Sequence, residues 1–144
     1  MKRISAILAV LLMTAALFAG CAKAPGTYHV RTMDGKQPLD YYREKYSDAG
    51  HGKDGLDNYL SLRGLTEEDL KDPIRLTVKE DGTFVMEEIF SGITTEGTWE
   101  KKGGTLTLKT ETKTMTAKIK GRSLVFAEGV NQEAEVVFAK QNEK

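Results

Sequence analysis

From Ile74 onward the apolar side chains of this chain recur at every second position, in short runs, several of them separated by glycine-bearing turns. Ile74/Leu76/Val78, Phe84/Met86, Leu106/Leu108, Met115/Ala117/Ile119, Leu124/Phe126 and Val136/Phe138 each alternate with other residues, and Trp99 lies between Thr98 and Glu100. A strand points successive side chains to opposite faces, so this period predicts antiparallel strands with one face on a core and the other in water. Asp81-Gly82, Gly103-Gly104 and Gly121-Arg122 mark tight turns between them. Upstream, Thr27 to Met33 alternates too, with Tyr28, Val30 and Thr32 expected on one face, His29, Arg31 and Met33 on the other, and Asp34-Gly35 as the turn that follows.

Between that first strand and Ile74 the period changes. Leu39, Tyr42 and Tyr46 fall at helical spacing, as do Leu56, Tyr59 and Leu60 before Gly64, which predicts two short helices around a flexible loop at Ser47 to Gly55. Leu65-Thr66-Glu67-Glu68-Asp69-Leu70 predicts a third. Thr66 is its cap, acidic residues fill its first turn, Leu65 packs on Leu70, and Asp72-Pro73 ends it within about two turns. The expected architecture is mainly β: roughly eight short antiparallel strands in a meander, closed as an up-and-down barrel or bent as a sandwich, with two or three helices between the first and second strands.

The N-terminal segment follows a different grammar. Lys2-Arg3 precedes an apolar run from Ile4 to Ala19, interrupted by Ser5 and Thr14, in the charge order of a secretory signal peptide. The run falls short of the ~20 apolar residues that a membrane-spanning helix needs. Phe18 spoils ordinary cleavage after Gly20, and a cut after Ala24 would fall before Pro25. Leu17-Phe18-Ala19-Gly20-Cys21 instead resembles the lipobox of bacterial lipoproteins: Ala19, Gly20 and Cys21 match, while Phe18 departs from the usual aliphatic residue. The resemblance implies a cleaved signal peptide at 1–20 and a diacylglyceryl thioether on Cys21, the new N-terminus. It also implies a lipid-anchored protein on the extracytoplasmic side of the cell membrane or outer membrane. Residues 21–26 then form the lipidated end and a short tether, and 27–144 the β domain, with its helical insertion at about 38–72.

Processing alters the charge arithmetic. Without Lys2 and Arg3, 19 basic residues face 21 acidic ones, a formal charge of −2. Both signs are interspersed and no basic block is present, so nothing in the sequence points to a nucleic-acid partner and an ordinary solvated surface is expected. Cys21 is the sole cysteine, so the domain has no disulfide and must rely on packing. The 124 residues from Cys21 onward are enough for one self-supporting core.

Gly26-Thr27-Tyr28, the segment Leu76 to Phe84, Gly97-Thr98-Trp99, Thr105-Leu106-Thr107-Leu108 and Val137-Phe138-Ala139-Lys140 resemble the small lipocalin-like domains of bacterial lipoproteins. That resemblance implies a fold and no particular ligand. An eight-stranded barrel is at the size where side chains fill the interior or one small molecule fits. Trp99, Phe84, Phe126, Phe138, Met86 and Met115 are bulky enough to fill it, and an apolar cavity is the alternative.

The candidate contact surface is the insertion, which holds four of the five tyrosines: Tyr41, Tyr42, Tyr46 and Tyr59. Tyrosine suits sites with one end buried and one end wet. The plainer account has Tyr42, Tyr46 and Tyr59 packing the helices over the barrel mouth and Tyr41 alone exposed. No catalytic, cofactor or metal motif is present: His29 lies on a strand face, His51 in a glycine-rich loop, and Gly50 and Gly52 occupy the alternating positions where a calcium loop at Asp48, Asp54 and Asp57 would need ligands. Glu87-Glu88 points its carboxylates to opposite faces. Two functional readings remain: a lipid-anchored binding module for a small ligand, held in a cavity or tyrosine-lined groove, and a lipoprotein with a filled barrel that docks on an envelope protein through a sheet edge or apolar patch.

Overall fold

Residues 24–52, 54–128 and 134–142 are described by a computed structural model. Cys21 and the leader lie outside them. Eight strands follow in order: β1 Gly26–Met33, β2 Ile74–Val78, β3 Thr83–Glu88, β4 Ile93–Lys102, β5 Thr105–Lys109, β6 Thr114–Lys120, β7 Ser123–Phe126 and β8 Val136–Lys140. Each pairs antiparallel with the next and β8 returns to β1, so the meander closes as a barrel and not as a sandwich.

All connections except one are short. Between β1 and β2 lie α1 (Pro38–Tyr46), a wide turn at Ser47–His51 and α2 (Gly55–Arg63). Pro38 opens α1, where its fixed φ suits the first helical position and its missing N–H costs nothing. Gly64 ends α2 in the left-handed region at φ 67°, and the Gly64 and Leu65 amides donate to the Ser61 and Leu60 carbonyls. This is a Schellman stop, which satisfies carbonyls that the helix end would otherwise strand.

Two local expectations are corrected. The third helix shrinks to one 3₁₀ turn at Asp69–Lys71, held by bonds from residues 69, 70 and 71 to the carbonyls three positions back. Thr66 does not cap it with its side chain: Glu68 is the N-cap, and the Thr66 amide and hydroxyl both donate to the Asp69 carboxylate, at 2.8 and 2.9 Å. Pro73 forbids the helical region at Asp72, which sits at φ −134°, and the turn has no room to propagate. In β1 the register against β8 slips between Val30 and Thr32, which leaves Arg31 as an extra residue. That bulge flips the alternation, so Met33 is fully buried where Thr32 was expected.

The interior is solid. Leu76, Phe84, Met86, Leu108, Phe126 and Phe138, from five strands, are each at most 1% exposed. A void large enough for one water molecule would leave accessible area on its walls, so no such void borders these side chains. Phe126 and Phe138 meet edge-on with centroids 5.6 Å apart, a favoured aromatic geometry. Trp99 does not join this filling; it is half-buried at one end of the barrel, where its indole N–H donates to the Lys79 carbonyl at 2.7 Å.

The strand directions define two ends. One, the foot, gathers the start of β1, the β2–β3, β4–β5 and β6–β7 turns and the end of β8. The other gathers α1, α2 and the β3–β4, β5–β6 and β7–β8 connections.

Candidate functional site

The capped end is built around Phe90, in the turn between β3 and β4. Its ring stacks on Tyr42 with centroids 4.7 Å apart and on Tyr59 at 4.8 Å, at interplanar angles of 18° and 19°. Tyr46 closes a third side, 5.3 Å from Tyr59 and 6.0 Å from Phe90. The helical spacing of Tyr42 and Tyr46 on α1 puts both on one face, and α2 brings Tyr59 to meet them. Tyr41 lies edge-on to Tyr42 at 5.4 Å, half-buried and not exposed. The structure thus brings all four tyrosines into one cluster, with Tyr42 buried and the other three half-buried.

Polar contacts fix the cluster's rim. The Arg63 guanidinium donates to the Phe90 and Ser91 carbonyls at 3.2 and 3.1 Å and lies 5.7 Å from the Tyr59 ring centroid. It therefore pins the β3–β4 turn to α2 and adds a cation–π contact. Burial, reinforced by the neighbouring Tyr59, raises the Tyr46 phenol above its ordinary pKa and keeps it a neutral hydroxyl. Ion pairs Arg43–Glu67 and Lys36–Glu44 brace α1 at its exposed side.

Phe90 carries no sequence signal of this role. It interrupts no period, and only Gly92 behind it, at φ 71°, hints at a turn. Two exposed large apolar side chains were likewise unmarked: Leu62 on α2, 87% exposed, and Ile93 at the head of β4, 55% exposed. Both sit at the capped end. The upper part of β4, residues 93–97, is bonded to β3 on one side, whereas β5 pairs with β4 only from Thr98 onward.

His29 leaves the strand face to meet the end of the insertion. Its Nδ1 donates to Asp72 Oδ2 at 2.5 Å and its Nε2 faces the Gln141 side-chain oxygen at 3.2 Å. Arg75 approaches the same Asp72 oxygen at 3.7 Å. This contact ties the last residue before Pro73 to the outer wall of β1 and β2, and no nucleophile joins it. His51 packs against Tyr46 with ring centroids 5.8 Å apart. Among the described residues no three His, Cys, Asp or Glu side chains cluster closely enough to hold a metal ion.

Among the described residues, two grooves open on the barrel wall. A groove of about 590 Å³ runs over β3, β4 and β5 beside Gly97, and another of about 510 Å³ crosses β6 and β7. Both are open to solvent and lined by threonines and charged residues. A smaller depression of about 210 Å³ lies under the cap between Tyr42, Phe90 and Ile74, less than the ~300 Å³ at which small-molecule sites begin. No helix among the described residues is long and apolar enough to cross a membrane.

No family model matches the chain, and no curated protein does. Among solved structures, a DUF4847 family protein from Bacteroides vulgatus is 22% identical, over 84% of this chain and 96% of that one, with a TM-score of 0.44. The zebrafish ileal bile acid-binding protein, complexed with cholic acid, is 15% identical over 84% of this chain and 99% of its own, with a TM-score of 0.38. The cholic acid is a property of that neighbour.

Proposed function

We propose that this chain is a lipid-anchored, extracytoplasmic docking lipoprotein, whose barrel is a rigid stand and whose recognition happens on its outside. The observation that carries the docking half is the filled interior: Leu76, Phe84, Met86, Leu108, Phe126 and Phe138, each at most 1% exposed, leave no chamber around them for a small ligand. Contact must then fall on an outer surface. The capped end, with its half-buried tyrosines and the exposed Leu62 and Ile93, has the amphipathic aromatic composition of protein interfaces. The anchoring half rests on the lipobox resemblance at Cys21 and is supported by where the chain enters the fold: Ala24 is 2% exposed and its carbonyl accepts from the Tyr28 hydroxyl at 2.7 Å. A two-chain anchor on Cys21 holds the protein far more durably than one acyl chain.

The experiment is a titration of the purified protein with a fluorescent fatty acid and with an apolar dye that brightens in cavities. The expected outcome is no saturable binding. One-to-one binding that protects the protein from heat would assign the ligand to the barrel and overturn the docking reading. In the intact bacterium, incorporation of labelled palmitate tests the anchor, and its absence from the wild-type protein refutes that half.

A further inference from the structure

The two ends of the barrel carry opposite charge. At the foot, the β2–β3 turn begins on Lys79, β4 ends on Lys101 and Lys102, and Lys120 and Arg122 bracket Gly121. β8 ends on Lys140, and Lys118 stands level with Thr105, the first residue of β5. Among the described residues, these seven cations share the rim with three carboxylates, Glu80, Asp81 and Glu100. Asp81 accepts from the Thr83 amide and hydroxyl, and Glu100 pairs with Lys109 at 2.8 Å. Over the other end, residues 34–52 and 54–73 hold ten acidic against five basic residues.

The N-terminal chain leaves from the basic end. Ala24 packs there under Tyr28, and Lys140 lies so close over Gly26 that a Cβ at that glycine would come within 2.3 Å of Lys140 Cε. Three residue steps separate Cys21 from Ala24, a reach of at most ~11 Å. That is comparable to the ~8–10 Å over which salt screens charge. Trp99, the one tryptophan of the chain, is half-buried at the same end, under the Lys79–Gly82 turn. An indole with an apolar body and a polar edge suits the headgroup layer.

We propose that the foot is a membrane-contact face that reads anionic headgroups, so that the anchored barrel stands on its lysine rim and turns its acidic, aromatic cap away from the bilayer. The occupant is the anionic phospholipid surface to which the tether leads. The proposal rests on the anchoring of Cys21 argued above. Each basic residue near such a surface changes partitioning roughly fivefold, and the acidic insertion is repelled from it.

The test uses the protein extracted from its membrane, whose mass reports the acyl chains, reconstituted in phosphatidylcholine vesicles with or without phosphatidylglycerol. Emission of Trp99 is followed against lipids carrying a quencher just below the headgroup. The expected result is strong quenching in the anionic vesicles, weak quenching in the neutral ones, and loss of the difference at about 0.5 M salt. Lys102→Glu/Lys120→Glu, changed at two exposed positions, should lower the docked-to-undocked ratio more than tenfold while the protein stays on the vesicle through its lipid. A lipidated, vesicle-bound protein whose Trp99 is quenched equally in neutral vesicles, or equally in the charge-reversed variant, overturns the contact face and leaves the anchor standing. If the mass shows no acyl chains, the anchor reading fails, and the same chain added to preformed anionic vesicles decides the face: salt-sensitive quenching supports it, none overturns it.

Discussion

Phe138→Ala tests whether the barrel is solid. Phe138 is fully buried on β8 and meets Phe126 edge-on. Its register partners are Val30 on β1 and Leu124 on β7, both buried, so the two neighbouring strands lean on one ring. Truncation removes a buried ring from a site whose walls are held by continuous ladders on both sides, which limits collapse into the gap. Large-to-small changes of this type cost about 3–5 kcal/mol, a range that includes the loss of an edge-to-face pair worth about 1 kcal/mol. The expected loss of about 4 kcal/mol is a large share of the ~5–15 kcal/mol that a domain of this size commands. In calorimetry it should appear as a fall in Tm of ~15 °C, with a parallel shift in urea midpoint at unchanged slope. Phe138→Leu, which refills most of the space, should cost less than half as much. The variant should also gain weak affinity for benzene-sized molecules that the wild type lacks, since dry apolar cavities accept them. An unchanged melting curve for Phe138→Ala would mean that the ring already borders empty space, and the argument against an internal ligand would fail with it.

Cys21→Ser should abolish incorporation of labelled palmitate and leave the precursor unprocessed on a gel; normal labelling in that variant refutes the lipidation site. Phe90→Ala removes the ring between Tyr42 and Tyr59, and hydrogen exchange should accelerate in α1 and α2 while the central strands keep their protection; uniform acceleration would mean that the cap is not a separate cluster. Burial holds the Tyr28 and Tyr46 phenols above their usual range, so their contribution to stability is present below about pH 10 and is lost as pH rises beyond it. Absorbance near 295 nm should therefore show the Tyr28 and Tyr46 phenols ionising late, together with unfolding; all five phenols titrating normally in the folded protein would contradict this. At the acid side the sign reverses: the Thr83 hydroxyl and amide bonds lower the Asp81 pKa, which stabilises the fold above the ordinary carboxylate range and is lost as pH falls. Thr83→Val should move the Asp81 carboxyl signal in NMR titration back towards its ordinary midpoint.

What the sequence discloses here depends on whether a signal is periodic. β2, β3 and β5 to β8 were legible because each places inward residues two apart, and Asp81-Gly82, Gly103-Gly104 and Gly121-Arg122 mark turns among them. The Asp34 and Gly35 pair, both at positive φ, marked the end of β1 as reliably. The bulge at Arg31 was not legible, because a bulge is fixed by the partner strand: Val137 and Phe138 choose which of Thr32 and Met33 turns inward, and nothing near position 31 states their register. The first half of β4 was hidden for a related reason. Ile93-Thr94-Thr95-Glu96-Gly97 lacks an apolar alternation because its inward positions, Thr95 and Gly97, are small, and a Cβ at Gly97 would lie 2.0 Å from the Lys109 carbonyl oxygen and 2.8 Å from the Phe84 ring. The tyrosines pointed to the cap, but the residue that organises them lies thirty positions away, between two strands.

A filled, closed meander also constrains where selection can act on such a protein. Its ladders use most of the backbone hydrogen-bonding groups of the wall, and its inward side chains are committed to one another, so neither is free to vary for recognition. The ends are freer, and here they have diverged. At the cap the cover is a separate helical piece whose aromatic rings are only partly withdrawn from water and whose outer positions include an exposed leucine. At the foot the cover is made by the barrel itself, with Tyr28, Trp99 and Ile119 beneath turns rich in lysine. An end sealed by single turns gives a stable, basic base, and one roofed by an insertion can change its surface without disturbing the strands. The membrane contact and the partner contact proposed above fall at these two ends.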